Sequence, residues 1–272
     1  MNDLQAVRVT AEGIARRAGD VLRGFYGGAH DEHIKLNMAD IVTEGDTASE
    51  AVIVSLLRAA FPAHGIISEE GADGDAPSAY TLAWHIDPID GTTNFSKNMP
   101  HFCLSIALAD ADLNPLVGVV YAPALDELFS AARGQGATLN GAPIQVSAVS
   151  HSEQAVILTG FPASARDSRD LERFVRLARQ VRAGRVQGAA ALDLCFVAMG
   201  RCEAFWEGPI HTWDVLAGAL IVEEAGGRVT DFSGGRGRTA YSGAEVLASN
   251  GHLHAWMIDQ LAAHGAKPSN VA

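Results

Sequence analysis

Two carboxylates three residues apart on a sharp turn define the chemistry open to this chain. In the segment WHIDPIDGTTNF, residues 84 to 95, Asp87 and Asp90 flank Pro88 and Ile89, and Gly91, Thr92 and Thr93 follow. A Pro, an acid and a Gly directly after an apolar strand predicted over residues 82 to 86 end that strand abruptly. They turn both carboxylates and the Ile89 carbonyl toward one point. A donor set made only of oxygen suits Mg²⁺, Mn²⁺ or Ca²⁺, whereas zinc would call for His or Cys. Gly91 then opens a turn whose free backbone N–H groups suit a phosphate. A hard cation beside a phosphate is the setting of phosphoryl chemistry. Taken alone, the same segment also reads as an Asp-Pro turn with solvated acids.

Other acids could join that point. Ser68, Glu69 and Glu70 end a short apolar strand, and adjacent residues of a strand face opposite ways, so one acid of the pair, taken as Glu69, can face a shared site. Asp46, in DIVTEGD at residues 40 to 46, stands near a helix start, where a capping role is the plainer explanation and is compatible with a place in the site. Asp214 opens an otherwise apolar helix, a place that the helix dipole also favours. Glu207 follows Phe205 and Trp206 at a strand end and precedes Gly208 and Pro209, as a loop acid or a hydroxyl-binding group. His85 and His211 belong to no i, i+4 pair and no zinc spacing, so they read as structural.

These residues must be positioned by a chain of 272 residues, long enough to bury a large core as one unit, residues 1 to 272. Lys and Arg number 20 against 32 Asp and Glu, a formal net charge of −12, which argues against broad nucleic-acid affinity. That acidity makes divalent cations necessary intermediaries for any phosphate ester. Cys103, Cys195 and Cys202 lack CxxC spacing and read as reduced core residues of a cytoplasmic protein. No signal-like segment opens the chain, and runs such as residues 215 to 222 are too short to span a bilayer.

Periodicity predicts a helix over residues 3 to 25 stopped by Gly27 and Gly28, and a second over 47 to 61 opened by Thr47 and Glu50 as a capping box. Strands are predicted at 65 to 68 and 82 to 86, each followed by acids. Residues 102 to 146 read as an antiparallel meander with a hairpin at Asn140 and Gly141. Beyond residue 150 strands (155 to 159, 184 to 187, 203 to 207, 246 to 249) alternate with helices (168 to 182, 190 to 199, 213 to 225, 252 to 263). Residues 71 to 79 and 233 to 243 read as Gly-rich loops. The fold class is α/β, an α+β half over about residues 1 to 150 and an α/β half over about 151 to 272.

Five ordered motifs, DIVTEGD, SEEG at 68 to 71, WHIDPIDGTTNF, GAAALDL at 188 to 194 and TWDVLAGALIVEEAGG at 212 to 227, resemble the inositol monophosphatase family of lithium-sensitive, magnesium-dependent sugar-alcohol phosphatases. The likeness runs from about residue 35 to 227. It implies a layered αβαβα phosphatase fold, a homodimer and two or three Mg²⁺ per site. By this resemblance Glu69, Asp87 and the Ile89 carbonyl hold one cation, while Asp87, Asp90 and Asp214 hold a second. Thr92, oriented by Asp46, would position and deprotonate the attacking water. Asp90, Gly91, Thr92, Thr93, Ala189, Ala190, Glu207 and Asp214 would meet the substrate, a small phosphorylated polyol such as myo-inositol 1-phosphate. Lys35 matches a lysine near a third, weaker metal region. Ala189 departs from the Ser or Thr of many bacterial members, which puts the exact polyol in question. Related enzymes take histidinol phosphate, fructose 1,6-bisphosphate or 3′-phosphoadenosine 5′-phosphate, and some bacterial relatives act as RNA-processing or transcription partners.

Overall fold

The computed structural model describes residues 3–28, 33–34, 41–71, 80–161 and 168–262. Lys35 and most of the loop at 71 to 79 lie outside the described residues. Helix α1 (Leu4–Phe25) buries Val7, Ala11, Ile14, Ala18 and Leu22 along one stripe, as its period requires. After the short pair β1 (His33–Ile34) and β2 (Ile41–Val42), α2 (Glu44–Ala60) lies beside α1 and buries Ile53, Val54 and Leu57.

Next come β3 (Gly65–Ser68), β4 (Leu82–Asp90), the short α3 (Thr92–Ser96), β5 (Cys103–Asp110), β6 (Pro115–Ala122), β7 (Glu127–Ala132), β8 (Ala137–Leu139) and β9 (Ala142–Pro143). They form a seven-stranded sheet in sequence order, antiparallel except for the parallel pair β3 and β4. Strand β5 is buried on both faces. Leu104, Ile106 and Leu108 share the core of α1 and α2, while Cys103, Ala107 and Ala109 face the opposite layer, the alternation that a pleated strand imposes.

The second half supplies β10 (Val156–Thr159), α4 (Ser168–Ala178), β11 (Ala183–Val186), α5 (Ala190–Ala198), β12 (Ala204–Glu207), α6 (Thr212–Glu224), β13 (Arg228–Thr230), α7 (Arg238–Tyr241), β14 (Val246–Ser249) and α8 (His254–Ala262). Its five strands are ordered β11-β10-β12-β14-β13, with β10 parallel to both neighbours and β14 antiparallel to both of its own. Helices α5 and α6 lie between the two sheets, and α4 and α8 cover the outer face of the second. The layers are therefore αβαβα, as expected. A helix apolar on every side must be interior, and Val215 to Val222 of α6 are all buried. Gly118 on β6 makes that contact close, because a Cβ there would stand 2.7 Å from the Ala217 carbonyl. Cutting Leu220, wholly buried in this layer, to Ala would cost about 2–5 kcal/mol.

Several expectations need correction. Strand β4 does not stop at residue 86; it continues to Asp90 across a shift of register between Asp87 and Asp90 in its pairing with β5. A bulge accommodates Pro88, so the Pro re-aims the strand instead of ending it. Helix α2 starts one turn earlier than residue 47, at Glu44, and its capping box is Thr43 with Asp46. The stretch 233 to 243 contains α7, and β13 follows the Gly226 and Gly227 stop of α6. The hairpin at Asn140 and Gly141 is present with positive φ at both residues, 49° and 81°. All three cysteines are buried free thiols, and among the described residues no helix is long and apolar enough to cross a membrane.

Candidate active site

The bulged end of β4 carries the centre of the site. Asp87 and Asp90 are both buried, and Asp87 turns back on its own strand, its Oδ1 accepting the Ile89 N–H at 2.9 Å. Asp90 reaches the far half of the molecule: its carboxylate oxygens accept the N–H groups of Ala190 and Ala191 at 3.1 and 2.7 Å, and the Cys103 thiol lies 3.5 Å away. Those two N–H groups belong to the first turn of α5, which has no intrahelical acceptors for them. Gly91 follows with φ of 91°, and a Cβ there would lie 3.0 Å from the Gly188 carbonyl and 3.2 Å from Ala189. Only glycine fits both the left-handed backbone and the narrow gap.

Asp214 sits in the first turn of α6, its Oδ2 accepting the His211 N–H at 2.7 Å. Asp46 occupies the matching place in α2, where Oδ2 accepts both the N–H and the hydroxyl of Thr43, at 2.8 and 2.7 Å. Both acids thus cap the helices they begin. The Thr92 hydroxyl is 3.0 Å from the Ile89 carbonyl and 3.5 Å from Asp46 Oδ1, so the carbonyl is the nearer acceptor. Glu69 follows β3, tied to β4 by its N–H on the Ile86 carbonyl at 3.1 Å.

Electrostatics bind these acids into one neighbourhood. Burial raises the Asp87 carboxyl well above the ordinary carboxylate range, and the charges of Glu69, Asp90 and Asp214 push it further. Burial likewise raises Asp214, with Asp90 and Glu69 adding to it. Asp90 is pushed up to about 6, again mainly by burial, with the Ala191 N–H opposing the shift. Asp46 rises to about 7 through burial, with Glu70 and Glu69 contributing against the Thr43 bonds. Glu69 acts on Asp87 and Asp214, and both Glu69 and Glu70 act on Asp46. The leading charges acting on Asp87 and Asp214 are all carboxylates. An oxygen-only set of this kind fits a hard divalent cation, which would relieve the repulsion. Among the described residues no three His, Cys, Asp or Glu side chains already converge as a metal cage. The acids share an electrostatic neighbourhood without closing on one coordination point.

Beside them opens a cleft of about 720 Å³ lined by Asp90, Thr93, Asn94, Gly160, Phe161, Leu171, Val186, Gln187, Gly188, Ala190, Glu207, Ile210 and Asp214. Glu207 ends β12 and Gly160 follows β10, so the wall is built at the carboxyl ends of parallel strands. Glu207 is buried, and burial raises its carboxyl well above the usual range, with Asp214, Asp193 and Asp90 reinforcing the shift. Asp90, Thr93, Ala190, Glu207 and Asp214 line this cleft. Glu69, Asp87, Asp46, Thr92, Gly91 and Ala189 are absent from its lining and stand beside it. The N–H of Ala190 is held by Asp90. Asn94, which no sequence signal marks, donates its amide to the carbonyls of His101 and Gln187 at 2.7 and 2.8 Å. Gly160 and the pairing of His101 with Asp193 at 2.9 Å are equally unmarked in the sequence. His85 is bonded to Thr212 Oγ1 at 2.8 Å.

Known proteins are similar to this chain over most of its length. The chain is 42% identical over 259 residues to inositol monophosphatase 2 of Solanum lycopersicum, covering 91% of this chain and 94% of that one. It is 45% identical over 201 residues to the Nus factor SuhB of Pseudomonas aeruginosa, covering 72% and 73%. The solved structure of inositol monophosphatase from Anabaena superposes with a TM-score of 0.83 at 38% identity, covering 96% of each chain. The profile described as the inositol monophosphatase family matches residues 3–266. With the layered fold and the buried acids already in place, these likenesses settle the kinship: the chain belongs to the inositol monophosphatase family of metal-dependent phosphatases.

Proposed function

We propose that the protein is a Mg²⁺-dependent phosphatase that hydrolyses a small sugar-alcohol phosphate monoester, myo-inositol 1-phosphate, to the free polyol and phosphate. The observation that carries this reading is the placement of Asp90 and Asp214 in one cleft with Glu207, so that acids suited to cations adjoin a wall suited to hydroxyls. Glu69, Asp87, Asp90, Asp214 and the Ile89 carbonyl would hold two Mg²⁺. When bound, the cations supply charge neutralisation for the phosphoryl oxygens and activation of water. Uncatalysed phosphate-monoester hydrolysis is slow enough that such neutralisation, more than any single base, must lower the barrier.

The chain's own groups do the rest. Thr92 orients the attacking water and relays its proton to the buried Asp46 carboxylate, for which the hydroxyl turns from the Ile89 carbonyl, at 3.0 Å, to Asp46 Oδ1, at 3.5 Å. The N–H groups of Gly91, Thr92 and Thr93 open a turn in which they bind phosphate oxygens. Asp90 and Glu207 position the polyol hydroxyls, and the backbone at Ala189 and Ala190 shapes that side of the pocket. Assembly as a homodimer in the cytoplasm, with lithium sensitivity, completes the proposal. The test is a panel of myo-inositol 1-phosphate, histidinol phosphate, fructose 1,6-bisphosphate and 3′-phosphoadenosine 5′-phosphate at equal concentration. The highest kcat/KM is expected for myo-inositol 1-phosphate, and preference for histidinol phosphate overturns the choice of substrate.

A second reading rests on the relative named Nus factor SuhB. It gives this chain a role beside RNA polymerase that needs no intact set of acids. Co-purification with the polymerase, unchanged in Asp90→Asn, supports that role; no co-purification with either protein rejects it.

A further inference from the structure

The turn that carries Asp90 is fastened to the start of α5 by more than Asp90 itself. The Asn94 amide spans the carbonyls of His101 and Gln187, at 2.7 and 2.8 Å. The His101 Nε2 lies 2.9 Å from Asp193 Oδ1, and the Gln187 amide donates to the same oxygen at 3.4 Å. Asp193 is 1% exposed and Asn94 8%, so water competes little for these bonds. Asp193 belongs to the first turn of α5, its N–H on the Ala189 carbonyl at 2.9 Å. The His101 ring therefore grips the same helical turn whose Ala190 and Ala191 N–H groups hold Asp90. Phe196 meets the imidazole edge-on, with ring centroids 5.3 Å apart, and restricts its rotation.

We propose that the His101–Asp193 pair, braced by Asn94, is a positioning clamp that holds the first turn of α5 against the 90 to 101 segment and so orients the Asp90 carboxylate. The consequence for cation binding rests on the reading of Asp90 as a ligand. A carboxylate gripped by two N–H donors is already aligned for its ligand, and partners that orient a ligand in this way are worth about 10–100-fold in metal affinity. None of the clamp residues is itself a catalytic residue. They act through Asp90.

Two measurements on purified full-length protein test the clamp: amide hydrogen exchange at Ala190 and Ala191 without added metal, and Mg²⁺ binding by calorimetry. Asp193→Ala is expected to speed exchange of those two amides about tenfold relative to amides of α1, and to weaken Mg²⁺ binding about tenfold. Asp193→Asn keeps an acceptor for the His101 N–H and is expected to stay within about threefold of the parent in both measurements. His101→Ala, which removes the other partner of the pair, serves if Asp193→Ala does not fold, with the same expected effects. Unchanged exchange in Asp193→Ala, or in His101→Ala where it stands in, overturns the clamp, as does Asp193→Asn being as impaired as the variant that removes a partner. Faster exchange in Asp193→Ala together with no Mg²⁺ uptake by the parent protein supports the clamp and rejects Asp90 as a ligand.

Discussion

A Cβ on Gly160 would overlap the carboxylate of Glu207, so the end of β10 leaves room for that side chain only by being glycine. The group in the way is the far end of a flexible side chain, which can swing aside without disturbing the core. Gly160→Ala should therefore displace Glu207 and raise KM for the polyol phosphate about tenfold, the worth of one lost hydrogen bond in the pocket. The melting temperature should hardly move. Steady-state kinetics with a parallel thermal melt check this, and an unchanged KM removes Glu207 from the substrate side.

Buried like charges make the site unstable in its own right. Asp87 has a carboxyl raised far above its unfolded value, so its contribution to stability is full below about pH 4 and is lost as pH rises through the folded value. Asp87→Asn retains an acceptor for the Ile89 N–H and removes one of the repelling charges. Urea denaturation at pH 8 without divalent cations should show the variant more stable by about 1–2 kcal/mol, an advantage that shrinks on acidification. A less stable variant at pH 8 would contradict the repulsion.

His254 offers a pH dependence of opposite sign, away from the acids. It is fully buried, with Nε2 2.9 Å from Thr230 Oγ1 and Nδ1 2.8 Å from Ser249 Oγ. Thr230 donates its hydroxyl proton to the Asp231 carbonyl, so Nε2 carries the hydrogen and Nδ1 accepts from Ser249. Burial lowers the imidazole to about 4, with the charges of Arg228 and Arg236 assisting. The unfolded chain takes up the proton first, near pH 6.5, so stability is full above that value and declines as pH falls toward 4. A loss on the order of 1 kcal/mol between pH 7 and 5 is expected, allowing for solvent screening, and His254→Gln should flatten that part of the profile. An identical profile in the variant would refute it.

How far the sequence reveals this site depends on the range of the contact involved. The ends of β3 and β14, the hairpin at Asn140 and the stop of α6 at Gly226 are local events, signalled by alternation, Asn-Gly and paired glycines. The acids were legible because residue type and motif order mark them one at a time. The bulge in β4 was not, since Pro88 within an apolar run reads as a strand end until β5 is known to pair across it. The start of α2 is ambiguous in the sequence because Thr47 and Glu50 satisfy the capping pattern as well as Thr43 and Asp46, and the two bonds from Thr43 to Asp46 decide between them. Gly160 with Glu207 and His101 with Asp193 join residues distant along the chain, and periodicity carries no information about such pairs.

The central claim is that the carboxylates gathered about Asp87 work by holding divalent cations during phosphate-ester hydrolysis. The direct measurement is phosphate release from myo-inositol 1-phosphate by the purified protein, first with excess chelator and then with Mg²⁺ restored. The account predicts no turnover above background in chelator, recovery with Mg²⁺, and loss of at least about 100-fold of the restored rate in Asp90→Asn with its fold intact. Full turnover in chelator, or restored rates in Asp90→Asn equal to those of the parent protein, would contradict it.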